Sequence, residues 1–132
     1  MCSSDLFQFD QTVSVAGTVT AVDTTGNPIG STLVSSSGTE VTVTLTGIPD
    51  NRRATVSLTG VNSTLNVAAS IGFLVGDVNN SRSIGSTDVS AVKSRNGQAL
   101  TNANFKYDLN VNGSIGATDV SAVKARGGLV LP

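Results

Sequence analysis

The 132-residue sequence predicts an α+β protein of two small modules: a β-sandwich, then an all-α pair of loop–helix repeats. Three observations predict it. Thr and Val alternate with period two through the first half, composition shifts near Gly76, and the second half repeats itself without gaps. The expected organisation is a leader at 1–6, a β module at 7–75 and a repeat module at 76–132.

Composition removes several classes of function. Eight Lys/Arg against nine Asp/Glu leave a net charge of −1, so no basic surface points to nucleic acid. His and Trp are absent, which removes histidine catalysis and histidine metal ligands. No apolar run approaches the roughly 18 to 20 residues needed to span a bilayer, so no membrane insertion is expected. Cys2 is the single cysteine, so no intramolecular disulfide forms.

The leader has its own explanation. Met1-Cys2-Ser3-Ser4-Asp5-Leu6 fits GTG-TGC-TCT-TCC-GAT-CT, which resembles the end of a common sequencing adaptor; the plainer alternative is an ordinary short leader. These six residues are therefore expected to be translated adaptor, with the protein continuing upstream. They have neither the basic start nor the apolar core of a signal peptide.

From Phe7 to Val75 the text is strand-like. Alternation runs through Thr12-Val13-Ser14-Val15, Thr18-Val19-Thr20-Ala21-Val22 and Glu40-Val41-Thr42-Val43-Thr44-Leu45, with Val41, Val43 and Leu45 facing a core. Gly26-Asn27-Pro28, Ser36-Ser37-Gly38 and Pro49-Asp50-Asn51 mark turns. Ala54-Thr55-Val56-Ser57-Leu58 is expected to pair with the Val41 strand as a hairpin. A last run, 69–75, carries Ile71, Phe73 and Val75 on one face. Six short strands at this spacing predict an immunoglobulin-like sandwich, and truncation would leave it an unpaired edge.

The repeat carries the chemistry. Residues 77–97 align with 108–128 at an offset of 31, and fourteen of the 21 positions are identical, which holds the register against chance. Counting Asp77 as position 1, oxygen-bearing residues fall at positions 1, 3, 5, 7 and 12: Asp77, Asn79, Ser81, Ser83 and Asp88. The second copy places Asp108, Asn110, Asn112, Ser114 and Asp119 identically. That is the spacing of a twelve-residue calcium loop, in which alternate residues turn inward around a hard cation requiring six to eight oxygens. Every acidic residue beyond Gly76 falls at position 1 or 12, as carboxylates scattered for solubility would not. Apolar Ile84 and Ile115 at position 8 fit loops paired back to back. The plainer reading is a pair of Asx-turns capping two helices. It accounts for Asp77 or Asp88 singly and not for two complete copies.

A short helix follows each loop, from Thr87 to about Arg95 and from Thr118 to about Arg126, with Val89 and Val92, then Val120 and Val123, at i and i+3. Gly97 and Gly127-Gly128 end them. With so few large apolar groups, residues 76–132 bury too little surface to fold alone, so metal binding is expected to be coupled to folding. Leu129-Val130-Leu131 is expected to pack or pair against Phe73-Leu74-Val75, clasping the repeat.

The segment G-D-V-N-N-S-R-S-I-G-S-T-D-V-S-A-V-K with its second copy resembles a type I dockerin over roughly residues 76–129. The preceding β region is similar, more loosely, to sandwich modules found before such dockerins in secreted bacterial proteins. The resemblance implies a non-catalytic, monomeric module of an extracellular or cell-surface protein, binding two calcium ions and plugging into a cohesin domain. It implies calcium ligands at the ten positions above. It places cohesin contact at Ser86, Thr87, Lys93 and Arg95 and at Ala117, Thr118, Lys124 and Arg126. The simpler account of those cations is a solvated helix end favoured by the dipole. Parents of such modules often degrade polysaccharides, a link by association only.

Several positions depart from the family pattern. Position 5, usually Asp, is neutral in Ser81 and Asn112, and Arg82 replaces the position 6 glycine that Gly113 retains. Weak binding of the extracellular kind is expected, with the second loop the tighter. The helix faces are smaller and more polar than those of scaffold-docking members, which keeps open a second function: a calcium-stabilised structural terminus of a surface or adhesion protein. An enzyme is the third class. Asp10, Asp23, Glu40 and Asp50 are expected in turns and on strand surfaces, with no carboxylate pair placed for acid–base work.

Overall fold

The computed structural model describes residues 2–132, with side chains from residue 6 onward, so Met1 of the expected leader lies outside the described residues. The chain forms two compact units, one ending at Phe73 and one spanning Leu74–Leu131.

The first unit contains six strands: β1 (Cys2–Gln8), β2 (Thr18–Val22), β3 (Ser31–Ser37), β4 (Glu40–Thr46), β5 (Arg52–Val61) and β6 (Leu65–Phe73). They pair antiparallel in two sheets, β1-β4-β3 and β2-β5-β6. The period-two alternation of β4 turns Val41, Val43 and Leu45 inward, all fully buried, and β5 does the same with Ala54, Val56 and Leu58. These six meet in one apolar cluster, so both sheets share a core.

Three strand expectations need correction. The Val56 run does not form a hairpin with the Val41 strand: Val56 stands opposite Ala21 of β2 and Ala69 of β6. The connection explains why. Gly47 at φ +71, fully buried Ile48, Pro49 and left-handed Asn51 make too long and bulky a link for a tight hairpin. The chain therefore passes from one sheet to the other. The segment Thr12-Val13-Ser14-Val15 forms no ladder, because its backbone groups go to Gly38 and, for the most part, to Asn62: Val13 N–H donates to the Gly38 carbonyl at 2.8 Å and Asn62 N–H to the Val15 carbonyl at 3.0 Å. Ser14 and Val15 N–H donate to Asn62 Oδ1 at 2.9 and 3.2 Å, and Asn62 Nδ2 donates to the Thr12 carbonyl at 3.0 Å. Ser36-Ser37 lies in a strand rather than a turn, since β3 runs on to pair Ser37 with Glu40 around Gly38-Thr39.

The fold-class expectation also fails, because the second unit is not all-α. Only α1 (Ser86–Lys93), α2 (Ala117–Ala125) and a single 3₁₀ turn (Phe105–Tyr107) are helical. The rest is loop and turn, with an isolated antiparallel bridge between Ser83 and Val130. The physical reason lies in the twelve residues before each helix. Their N–H groups bond to side-chain oxygens of the same loop, and left-handed residues at positions 4 and 6 break any helical run. Taken together, the chain is mostly β. Among the described residues no helix is long and apolar enough to cross a membrane.

Candidate metal centre

Each loop is wound around its first and last aspartates. In loop one, Asp77 Oδ1 accepts from Ser81 N–H at 2.9 Å and Oδ2 from Arg82 N–H at 2.7 Å. Asp88, at the other end, accepts from Val78 N–H at 3.0 Å and from Gly85 N–H at 2.9 Å. The latter bond caps α1 while the former ties the loop's end to its beginning. Asn79 Oδ1 accepts from Ser81 N–H at 2.9 Å, and its Nδ2 donates to Thr87 Oγ1 at 2.9 Å.

Loop two repeats these contacts at the same offset. Asp108 accepts from Asn112 N–H at 3.1 Å and Gly113 N–H at 2.8 Å. Asp119 accepts from Leu109 N–H and Gly116 N–H, each at 2.8 Å. Asn110 Nδ2 donates to Thr118 Oγ1 at 2.9 Å. Two copies of a twelve-residue sequence thus fold to the same hydrogen-bonded ring.

Charge is the unusual feature of these rings. Asp88 and Asp119 are 0 % exposed and Asp108 is also buried, and backbone N–H groups of their own loops donate to all three. Buried carboxylates held only by backbone N–H groups are costly without a cation. Chemically the donor set is all oxygen: carboxylate, amide, hydroxyl and carbonyl, the set a hard cation such as calcium takes. In loop one each carboxylate oxygen accepts one N–H and keeps a second lone pair. The residues therefore fit the ion, although no three His, Cys, Asp or Glu side chains gather among the described residues.

The two repeats are joined by reciprocal contacts that the sequence did not reveal. Gly97 N–H, past the end of α1, donates to the Ile115 carbonyl of loop two at 2.8 Å. Gly128 N–H, past α2, donates to the Ile84 carbonyl of loop one at 2.9 Å. Both isoleucines are buried, but each carbonyl is bonded to the opposite helix end rather than to its twin. With Val78, Val92, Val123 and Tyr107 they form the small core of this unit. The offset of 31 that pairs Gly97 with Gly128 was the available signal. The terminal run 129–131 bonds to loop one: Ile84 N–H donates to the Leu129 carbonyl and Leu131 N–H to the Arg82 carbonyl, both at 2.9 Å.

Residues 75–126 match the family model of the dockerin type I domain. No curated protein matches the chain. Dockerin domains are non-catalytic modules that bind calcium, interact with cohesin domains and are typical of extracellular proteins. Within the matched region Ser86, Thr87, Lys93, Ala117, Thr118 and Lys124 are exposed. The two threonine hydroxyls, however, are tied to the loops as acceptors. Arg95 and Arg126 are half-buried. The Arg95 guanidinium lies over Tyr107, 4.1 Å from the ring centroid, and Nη1 donates to the Ala91 carbonyl at 3.2 Å. Arg126 runs beside Gly76, where an added Cβ would stand 3.8 Å from Arg126 Cδ. Tyr107 and Gly76 occupy the same repeat position, so each terminal arginine reaches across to the other repeat.

Proposed function

We propose that the dockerin region holds two calcium ions, one per loop, and docks the protein that carries it onto a cohesin-type domain. The ligands assigned are Asp77, Asn79, Ser81, the Ser83 carbonyl and Asp88, and Asp108, Asn110, Asn112, the Ser114 carbonyl and Asp119. The observation that carries this reading is the pair of fully buried position 12 carboxylates, each tying the two ends of its loop together in two complete copies of the same oxygen ring. Calcium, when bound, supplies the divalent charge that offsets them. The chain's own part is to fix each carboxylate with backbone N–H groups before the ion arrives.

The docking face assigned is Ser86, Thr87 and Lys93 with their counterparts Ala117, Thr118 and Lys124, flanked by Arg95 and Arg126. The company such domains keep supports an extracellular setting in a polysaccharide-degrading assembly, with the chain acting as a monomeric module. Calcium titration of the chelator-treated full chain, followed by circular dichroism and calorimetry, tests the metal half. Two binding events with a gain of helix are expected, and none at millimolar calcium would end the proposal. Pulldown with cohesin domains tests the docking half.

One observation favours a second reading, a calcium-stabilised structural terminus with no cohesin partner. Arg95, assigned to the docking face, is committed to Tyr107 and Ala91 within the chain. Calcium binding without capture by any cohesin would select it.

A further inference from the structure

Position 4 separates the two loops. Both carry left-handed backbone at positions 4 and 6: Asn80 at φ 60 and Arg82 at φ 68 in loop one, Val111 at φ 56 and Gly113 at φ 86 in loop two. Asn and Gly tolerate that region, whereas a β-branched residue there is an outlier, because its Cβ substituents crowd the backbone. Each loop therefore has one misfit residue, Arg82 in the first and Val111 in the second.

The two misfits are not equivalent. Arg82 is unbranched at Cβ, and its carbonyl accepts from Leu131 N–H beside the Ser83–Val130 bridge, so the terminal run braces it. Val111 is 85 % exposed, with no apolar packing to offset its backbone strain. The position 12 carboxylates also differ by one bond. Asp119 Oδ1 accepts two N–H groups, from Leu109 at 2.8 Å and Asn110 at 3.2 Å, where Asp88 Oδ1 accepts one. Position 5 is bonded within both loops: Asn112 Oδ1 accepts Ser114 N–H at 2.9 Å and Ser114 Oγ–H at 2.7 Å, and Ser81 Oγ–H donates to the Ser83 carbonyl at 2.9 Å.

From this we infer that Val111 sets the calcium affinity of loop two and holds it below that of loop one. This rests on the calcium reading above and reverses the order that the position 6 glycine suggests. Loop one is the site that fills first, and loop two is the one that the ion has to order. A two-step response follows, with α1 set at lower calcium than α2.

The test is calcium titration, with no other ligand, of the full chain as wild type, Val111→Asn, Arg82→Gly and Asp119→Asn. Val111→Asn copies the residue loop one uses at that position. The expected result is an affinity gain of about tenfold at the weaker site only, equivalent to about 1.4 kcal/mol. Arg82→Gly should change the tighter site by a smaller factor. Adding Asp119→Asn should abolish the Val111→Asn gain. Amide exchange gives a second readout, since the Gly113 N–H should gain protection in calcium-loaded Val111→Asn while the Arg82 N–H does not. Unchanged constants in Val111→Asn would overturn the inference. So would a gain that survives Asp119→Asn, or a higher unfolding midpoint with and without calcium at unchanged affinity. Failure of the wild type to bind calcium would remove the calcium reading itself, a result seen before any variant is compared.

Discussion

The sheet unit and the loop unit are similar in length and differ in what holds them. The first gathers Val41, Val43, Leu45, Ala54, Val56 and Leu58, all fully buried, from two sheets into one core. The second has a smaller apolar core of Val78, Ile84, Val92, Tyr107, Ile115 and Val123, and beside it buries Asp88, Asp108 and Asp119. A folded unit can thus rest on apolar area alone or on a smaller apolar core beside buried carboxylates. Under the calcium proposal the second kind is conditional on its environment.

Removing calcium is the widest break in that comparison. In the chelator-treated full chain, the amides of α1 and α2 should lose exchange protection while those of β4 and β5 keep theirs. Loss of both together would mean that the units do not differ in this way. The converse break is Leu58→Ala, which should cost the sheet unit about 2–5 kcal/mol by chemical denaturation. Calcium titration of that variant should be unchanged.

Within the loop unit, Asp88→Asn keeps shape and removes charge. The new amide nitrogen would face one of two backbone donors, Val78 or Gly85, at a cost of about 1–3 kcal/mol. Calorimetry should then record one binding event instead of two. Leu131→Pro removes the N–H that braces Arg82 and should cost about 1 kcal/mol, weakening the tighter site alone. The smallest effect concerns Asp23 in the sheet unit. The Thr25 hydroxyl, then the Asn27 and Thr25 N–H groups, hold its carboxyl below the usual value of 3.8. A lowered folded value means this stabilisation is present above about pH 4 and is lost as pH falls through that value. Asp23→Asn should flatten that acid limb in a pH series of melts and leave calcium binding alone.

Much of the candidate site was legible because a calcium-type loop is a local object. Twelve residues state its oxygen spacing, and a gapless second copy confirms the register. Val111 was legible in principle, since the same register sets it opposite Asn80, but only the backbone dihedral shows that position 4 is left-handed. The all-α expectation failed for a related reason. Two short amphipathic runs read as a helical module, whereas most of the unit is loop whose N–H groups bond to its own side chains.

In the sheet unit, alternation by itself determined which side chains turn inward, because a strand has period two whatever its neighbour. The identity of that neighbour was decided by tertiary structure. Gly47, buried Ile48 and Pro49 carry β5 across the core, and Asn62 takes the backbone of 12–15 from 47 or more residues away. The same division holds in the repeat. Sequence determined the oxygens of each loop, and tertiary contact decided that Gly97 and Gly128 bond the opposite isoleucines and that 129–131 brace loop one. Local patterns follow from covalent spacing along the chain. Pairing depends on which distant groups satisfy each other once the apolar faces have closed, and no window of sequence contains that.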